Sequence, residues 1–308
     1  MLNLTVGKSG KEDYYYLQEA IDAVPYNTAA VIDVREGIYR EKIFSDKKDL
    51  TIRGEGNVLI TYNDSGKELM ADGLKRGTFR SYTAFFSGER LRLENMTIEN
   101  SAGDGKRVGQ AIALYLDADF AELDGVDIIG RQDTLFLAPL PDEAEREKRG
   151  FYGPRSFLPR KRNMSIFRHC MVEGTVDFIF GSGDALFSEC RIISTGRGYV
   201  TAPSTPSGGI GLVFDKCSFS VMCEKDYGEV FIMRPWRRHG RISLFSCDLG
   251  EGFSPSLWCA WPGHEDEKAD AACLIYCTEA SGDMLTELSA EEAEDILSSF
   301  SRMQHIAE

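Results

Sequence analysis

The sequence predicts an all-β fold, a single-stranded parallel β-helix in which the chain winds through stacked coils as a solenoid. The main observation is a pattern of six residues, apolar-x-x-(Cys, Met or Val)-x-apolar, whose alternation is typical of a β-strand. Its central residues lie at positions 96, 126, 170, 190, 217 and 247, so the steps are 30, 44, 20, 27 and 30 residues. Internal periods of this size indicate a solenoid.

The composition of the repeating units favours a β-helix over a leucine-rich repeat, the other solenoid considered. A leucine-rich repeat needs a helical segment and an asparagine ladder in each unit, whereas these units are rich in strand formers, punctuated by glycine and irregular in length. Because a solenoid shares one core over any length, we predict a single domain over residues 1–308. The step of 44 contains a polar, proline-bounded stretch, predicted as an inserted loop over about 138–160.

Short capping helices are predicted at the N- and C-termini. Residues 16–24 have apolar side chains at helical spacing, and the pattern stops before Pro25. Such a helix would cover the open end of the solenoid, which otherwise exposes an unpaired strand edge. Near the other end, the segment from Ser289 to Glu292 is a capping box, which predicts a helix over about 289–300.

Composition and charge exclude several classes of function. The net charge of −14 disfavours nucleic acids and anionic membranes, for which positive potential supplies affinity. No apolar run approaches the ~20 residues of a membrane span, and residues 1–6 lack the features of a secretory signal. We therefore predict a cytoplasmic protein, unless the sequence is trimmed, and the oligomeric state stays open.

Cysteine usage supports the same compartment. Four of the eight cysteines occupy the central position of the repeat, where cysteine acts as a small hydrophobe. Neither a Cys-x-x-Cys pair nor a zinc-type grouping with the four histidines is present in the sequence. We predict free thiols, as in a reducing compartment, and neither a metal ion nor another cofactor.

Two aspartates, Asp133 and Asp177, are the strongest candidates for chemistry. Each lies seven residues after the central residue of a repeat, Val126 and Cys170 respectively. Equivalent positions in successive coils would be stacked ~4.8 Å apart. Two acids that close do not ionise independently, so one could donate a proton while the other stays an anion. The alternative is that each aspartate only caps a glycine-flanked bend.

Other side chains complete a possible site for acyl transfer. The amides of Gln110, expected within a strand, and Gln132 could form an oxyanion hole, although an amide ladder of the solenoid is an alternative for Gln110. Arg234 could hold a carboxylate ionised, or form a surface ion pair. Trp236 lies two residues further on, so the two would share a strand face.

Aromatic residues near these positions could stack on the C–H face of a sugar ring. Trp236 is the strongest candidate because it lies beside Pro235 and several arginines. For Tyr115 and Phe136, plain packing is the more ordinary alternative.

Together, four ordered motifs resemble the pectin methylesterases. They are Gln110-Ala-Ile-Ala-Leu-Tyr, Gly130-Arg-Gln-Asp-Thr-Leu, Gly174-Thr-Val-Asp-Phe-Ile-Phe-Gly and Arg234-Pro-Trp. The resemblance runs from residues 17–25 to 258–261 and covers most of the chain. It implies a right-handed parallel β-helix whose cleft hydrolyses the C6 methyl ester of galacturonic acid in pectin, releasing methanol.

The resemblance also implies a role for each matching residue. Asp177 matches the nucleophile that forms an acyl-enzyme, and Asp133 matches the acid that protonates methanol and then activates water. Gln110 and Gln132 match the oxyanion donors, and Arg234 matches the partner of the nucleophile. The aromatic substrate contacts are matched by Tyr115, Phe136, Phe180 and Trp236. Simple strand alternation would place Phe180 on the opposite face from Asp177.

The chain departs from the family pattern at two places. The aspartates are 44 residues apart, more than the usual coil, and Met233 replaces the glycine usual before Arg-Pro-Trp. The inserted loop is expected to border the cleft and to change which chain lengths fit. Together with the acidic net charge, a cytoplasmic location leads us to expect short, methyl-esterified oligogalacturonides as substrates rather than polymeric pectin.

Four rival interpretations are considered. A pectin glycosidase on the same fold could also use paired aspartates, but it has no evident use for oxyanion amides. A pectin lyase would need a calcium-binding acid cluster that the sequence lacks. The Gly-x-Ser-x-Gly elbow of serine esterases does not occur either. The non-enzymatic rival is a carbohydrate-binding solenoid with inert acids.

Overall fold

The computed structural model describes residues 1–140, 152–154, 161–222, 229–263, 270–280 and 285–307. The helices are α1 (Leu17–Ala23), α2 (Gly105–Val108) and α3 (Ala290–Ala307), with a 3₁₀ turn at Thr78–Arg80. The strands are β1 (Leu2–Val6), β2 (Ala30–Tyr39), β3 (Ile43–Ser45), β4 (Asp49–Tyr62), β5 (Ala84–Asn100), β6 (Leu114–Ile129), β7 (Leu135–Leu137), β8 (Met164–Arg168), β9 (Met171–Gly174), β10 (Ile179–Gly181), β11 (Asp184–Ser188), β12 (Arg191–Ser194), β13 (Gly198–Pro203), β14 (Leu212–Asp215), β15 (Ser218–Val221), β16 (Val230–Met233), β17 (Arg241–Phe245), β18 (Asp248–Leu249), β19 (Ala272–Tyr276) and β20 (Leu285–Glu287).

These strands stack in parallel on three faces, which we number in the order the chain meets them within a coil. Face one runs from β1 through β2, β4, β5, β6, β8, β11, β14 and β17 to β19 and β20. Face two contains the later residues of β2, β4, β5 and β6, followed by β9, β12, β15 and β18. Face three contains β3, the first residues of β5 and β6, and then β7, β10, β13 and β16. The predicted parallel β-helix is therefore confirmed.

The six-residue repeat sets the register of the coils. Leu123 pairs with Leu93 in the coil before it and with Phe167 in the coil after it, and Met96 pairs with Val126. The cysteine column, which consists of Cys170, Cys190, Cys217 and Cys247, is buried in the core. Each thiol donates a hydrogen bond of 3.3–3.6 Å to a carbonyl of the preceding coil. The cysteine column therefore fills the core and also donates hydrogen bonds to backbone carbonyl oxygens.

A left-handed residue precedes each central residue and bends the chain from face one to face two. This turn column has φ between 50° and 62° and consists of Asn95, Gly125, His169, Glu189, Lys216 and Ser246. Only one of these is glycine, although L side chains rarely adopt positive φ. The bend recurs because every coil must turn at the same point to keep its central residue in the core.

Helix α1 covers the N-terminal end of the solenoid. Leu17, Ala20 and Ile21 are buried in the same core as the first coils. The carboxylate of Glu41 accepts hydrogen bonds from the backbone N–H groups of Leu17 (3.1 Å) and Gln18 (3.0 Å) at the start of the helix. A helix N-terminus leaves such donors unsatisfied and favours negative charge, so Glu41 stabilises this cap.

Helix α3 packs differently from the end cap that the sequence suggests there. Its residues Ala293 and Phe300 are buried against outward-facing side chains of face one, including Phe120, Ile166 and Phe245. It therefore lies along the side of the solenoid. The physical reason is that face one is apolar on both sides, as in other parallel sheets that are covered on both faces. The predicted insertion at 138–160 falls largely outside the described residues.

Candidate active site

Asp133 and Asp177 lie on successive coils, at the bend that leads into face three. They precede β7 and β10, and the residues before them, Gln132 and Val176, form a parallel bridge. The N–H of Asp133 donates to the carbonyl of Val176 at 3.0 Å, and the N–H of Asp177 donates to that of Tyr199 at 2.7 Å. Successive coils thus hold both backbones in the same orientation, as the shared phase of the two residues predicts.

Both aspartates adopt the left-handed conformation, with φ of 62° at Asp133 and 50° at Asp177. Aspartate tolerates this region better than most residues do. The left-handed step also changes the side-chain alternation, since alternation holds only along a continuous strand. Phe180 consequently lies directly beside Phe136 in the register and packs in the same aromatic cluster. Simple alternation therefore does not apply here, and the substrate contact that the resemblance implies for Phe180 stays a prediction.

The carboxyl of Asp133 is buried and strongly perturbed. Asp133 as a whole is only 8% exposed. Burial, and next the negative charge of Asp177, raise the pKa of Asp133 well above its usual range, against the opposing effects of Arg234 and a hydrogen bond with Gln132. Asp133 is therefore suited to carry a proton at neutral pH.

Asp177 differs from Asp133 because it has an arginine partner. The Nε of Arg234 donates to Oδ1 of Asp177 at 3.2 Å, and a terminal nitrogen of the same guanidinium binds Oδ2. Burial raises the pKa of Asp177 to about 6, while the charge and hydrogen bonds of Arg234 oppose that rise. The two carboxyls thus have separated pKa values, the arrangement expected of an acid and an anion that work together.

Gln110 does not lie within a strand, contrary to the sequence interpretation. It precedes the start of β6 at Leu114, in a segment whose hydrogen bonds go to several neighbouring coils. The N–H of Ala111, for example, donates to the carbonyl of Gln132 at 3.0 Å. The chain bends here, so a continuous ladder cannot form, but the two glutamines are still brought onto adjacent coils.

The aromatic wall flanks the carboxylates on the side of face three. It consists of Phe79, Tyr115, Phe136, Phe180 and Trp236. Ring centroids are 4.7 Å apart between Tyr115 and Phe136 and 4.8 Å apart between Phe136 and Phe180. Tyr115 and Phe136 are buried within the wall, whereas Trp236 is only partly buried. Trp236 follows β16 rather than extending it, so its place beside the site does not come from strand alternation.

Three aromatic residues near the site were not identified by sequence reasoning. Phe79 enters the wall from the excursion between β4 and β5, with its ring 5.0 Å from that of Phe136. Tyr199 and Trp261 stack on either side of the Arg234 guanidinium. For Trp261 a signal was present, because the segment 258–261 belongs to the family resemblance. Phe79 carried no such signal.

A cavity of about 810 Å³ is lined by residues that lie next to the two aspartates in the chain. Gln132 and Val176, the residues directly before the two aspartates, line it. Three cations also line it, namely Lys106, Arg131 and Arg197. Arg131 lies 3.8 Å from Glu173. Within the described ranges, the charged groups of Lys106 and Arg197 have no ion-pair partner, so the cavity is locally positive on an acidic chain.

In the part of the chain that the structure describes, histidine, cysteine, aspartate and glutamate side chains form no group of three or more that could hold a metal ion. The described helices are not long and apolar enough to cross a membrane.

Fold and site together define a parallel β-helix enzyme with paired, unlike carboxyl groups. The chain belongs to the pectinesterase family, whose model matches residues 3–141 and 156–281. It is 29% identical to pectinesterase 31 of Arabidopsis thaliana over 87% of this chain and 80% of that protein. It is also 32% identical to the probable pectinesterase/pectinesterase inhibitor 6 of the same plant, over 85% of this chain but only 43% of that protein.

Solved structures share the fold. Carrot pectin methylesterase superposes with a TM-score of 0.77 at 24% identity, over 95% of this chain and 90% of that one. A pectin methylesterase in complex with a hexasaccharide superposes with a TM-score of 0.76 at 23% identity, over 97% and 96% of the two chains. At these identities, the similarity to the two structures establishes the fold alone.

Proposed function

We propose that this protein hydrolyses C6 methyl esters of galacturonate units in pectin or methylated oligogalacturonides, releasing methanol. The observation that carries the proposal is the buried pair of Asp133 and Asp177, whose pKa values are separated because Arg234 binds only one of them. Family membership and the superposition on a hexasaccharide-bound pectin methylesterase support the substrate class.

In the first step, an ionised Oδ of Asp177 attacks the ester carbonyl carbon. The carbonyl oxygen becomes an oxyanion, which the amide N–H groups of Gln110 and Gln132 stabilise. As the tetrahedral intermediate collapses, the bond to the methoxy group breaks and Asp133 gives its proton to that oxygen. Methanol leaves, and the galacturonyl group remains bound to Asp177 as an acyl-enzyme.

In the second step, Asp133 is a carboxylate and takes a proton from water. The resulting hydroxide attacks the acyl carbon, and the bond to Asp177 breaks. This releases galacturonic acid, which loses its proton to solvent, and regenerates an ionised Asp177 and a protonated Asp133. Arg234 stabilises Asp177 as a leaving carboxylate, so the same contact serves both steps.

The substrate that we propose is a short oligomer, because a net charge of −14 repels a dense polyanion at long range. Close to the site the local charge is positive, since Lys106 and Arg197 line the cavity beside Gln132. These cations suit galacturonate units whose esters have already been removed. The buried free thiols of the cysteine column suit a reducing compartment, and we propose the cytoplasm.

The proposed activity is tested by methanol release from highly methylated pectin and from methylated oligogalacturonides, with new reducing ends measured in the same tubes. Wild type should release methanol without new reducing ends, and Asp177→Ala should not. Asp124→Ala, which removes an exposed carboxylate of β6, is the matched control and should keep full activity. New reducing ends would indicate a glycosidase, and equal methanol from wild type and Asp177→Ala would reject the assigned nucleophile.

The oligomer hypothesis has its own test in the ratio of kcat/KM on oligomers and on long-chain pectin. We expect the ratio to favour oligomers and Arg197→Gln to raise KM several-fold, an effect that added salt should diminish. A strong preference for the polymer would reject the oligomer hypothesis and leave the esterase intact.

A further inference from the structure

The guanidinium of Arg234 lies between two aromatic rings. Its central carbon is 3.7 Å from the centroid of the Tyr199 ring and 3.6 Å from that of the Trp261 ring. Both distances are well inside the ~6 Å range of cation–π attraction. Planar guanidinium groups stack on aromatic faces, which leaves only their N–H edges free for hydrogen bonds. Here those edges bind Asp177.

Tyr199 is fixed from two directions. It belongs to β13, where it pairs with Phe231 of β16, and the two rings stack with centroids 5.7 Å apart. Its carbonyl accepts the hydrogen bond from the N–H of Asp177 at 2.7 Å. One residue therefore holds the backbone of Asp177 and, through its ring, one face of Arg234.

Trp261 reaches the other face of Arg234 from the segment after β18. That segment is anchored next to the arginine, because Trp258 forms a parallel bridge with Met233 and the N–H of Cys259 donates to the Met233 carbonyl at 3.2 Å. Met233 directly precedes Arg234. The register of two coils thus sets where the indole lies.

We propose that Tyr199 and Trp261 are positioning residues, a clamp that keeps the guanidinium edge of Arg234 on Asp177. This rests on the proposed function, in which Asp177 is the nucleophile. Arg234 also faces competitors, since Asp133 lies one coil away and each turnover creates a new carboxylate on the sugar. Both faces of the guanidinium are covered and the side chain of Arg234 is only 11% exposed. Arg234 therefore cannot turn its N–H edges toward Asp133 or toward the new carboxylate of the sugar. The clamp therefore keeps the two aspartates chemically unlike.

The electrostatic surroundings of Asp177 make the clamp testable. The charged or titratable groups around it are Asp133, Arg234, and the Tyr199 and Cys259 pair that adjoins the arginine. Among the described residues, only Arg234 lowers the pKa of Asp177. If the guanidinium swings away, the pKa of Asp177 must rise, and the acidic limb of the pH profile of kcat/KM must move to higher pH.

The test compares Trp261→Leu and Tyr199→Leu with Trp261→Phe and Tyr199→Phe, which keep a ring. We expect the leucine variants to move the acidic limb up by about one pH unit and to lower kcat about tenfold below that limb, with KM little changed. The phenylalanine variants should retain most of the wild-type profile. Tyr276→Leu, which removes a partly buried ring from face one, is the matched control and should leave the profile unchanged.

A second readout is independent of turnover. In protein labelled with ¹³C at aspartate carboxyls, the resonance missing from Asp177→Asn identifies Asp177, and its titration midpoint should lie higher in Trp261→Leu than in wild type. An unchanged midpoint and an unchanged acidic limb in both leucine variants would overturn the clamp. If wild type released no methanol, the proposed function would fail, and the clamp would still be decided by this titration.

Discussion

Left-handed residues occur at two bends of the same coils, and the two bends have opposite uses. In the turn column between faces one and two, the side chains of His169 and Glu189 are 62% and 59% exposed. At the bend before face three, Asp133 and Asp177 have similar φ values, yet both are less than a tenth exposed. The left-handed backbone conformation is the same in both bends. Burial distinguishes the second bend, which is where we propose the reactive site.

The difference in burial between the two bends determines how strongly the pKa values of their side chains are perturbed. The exposed imidazole of His169 has its pKa raised, chiefly by a hydrogen bond with Asp124, but solvent screens such a surface pair and it contributes little to stability. Asp133 and Asp177 are almost fully buried, so burial raises the pKa of both carboxyl groups, and the hydrogen bonds of Arg234 oppose that rise at Asp177. The comparison predicts that substitutions in the two bends have very different effects.

The largest difference is expected between Asp177→Asn and Glu189→Asn. Both keep a residue type that tolerates positive φ. Asp177→Asn should lower kcat by at least about 10⁴-fold, because an amide cannot act as the nucleophile. Glu189→Asn should stay within about twofold of wild type. Equal losses in the two variants, measured as methanol release, would mean that the bend matters only for folding.

The next effect concerns the amide side chains. Gln132→Ala and Gln110→Ala should each lower kcat by about 10²–10³-fold, as expected on removal of an oxyanion donor. Gln18→Ala removes an amide that hydrogen-bonds Asp22 and the backbone of Phe44, far from the candidate site, and it should leave kcat unchanged. A rise in KM with normal kcat in the first two variants would instead assign the glutamines to ground-state binding.

A third prediction concerns the pH dependence of folding stability. The raised pKa of Asp133 means that the folded state holds a proton that the unfolded state releases, so stability falls as pH rises above the unfolded value near 3.8. Asp133→Asn, which carries no ionisable group there, should raise the free energy of unfolding at pH 8 relative to wild type. Thermal unfolding at pH 4 and pH 8 checks this, since the gain should nearly vanish at pH 4. A gain that did not depend on pH would contradict the buried-acid assignment.

The smallest effect is expected in the exposed bend. His169→Val places a β-branched residue at a φ of 51° and should cost about 1–2 kcal/mol of stability, whereas His169→Asn should cost almost nothing. Neither variant should change kcat. Denaturant unfolding of the two variants measures the difference, and a loss of activity at normal stability would extend the functional role to the exposed bend.

The features that the sequence predicted well are those set by the repeat itself. The core residue of each coil is local information, so the register of Met96 with Val126 and the common phase of Asp133 and Asp177 follow from counting residues. The polar neighbours Gln132 and Arg234 could be proposed because they lie next to recognisable motifs in the chain.

The features that were missed depend on tertiary placement. Phe79 and Trp261 enter from excursions whose length no repeat fixes, and Tyr199 matters only through the arginine that lies against it. Strand alternation argued against the contact that the resemblance implies for Phe180, but the left-handed residue Asp177 interrupts that alternation. Helix α3 was predicted as an element, but its docking on face one follows from the outward apolar side chains of distant strands.

The central claim is that two buried aspartates in identical bends have different protonation states and different roles. The most direct measurement is the pH dependence of kcat/KM for methanol release. We expect a bell-shaped profile, with activity rising as Asp177 ionises at a pH of about 6 and falling only when Asp133 loses its proton at higher pH. A profile whose acidic limb lies near 4, the value of an unperturbed aspartate, or one without an alkaline limb, would contradict the account.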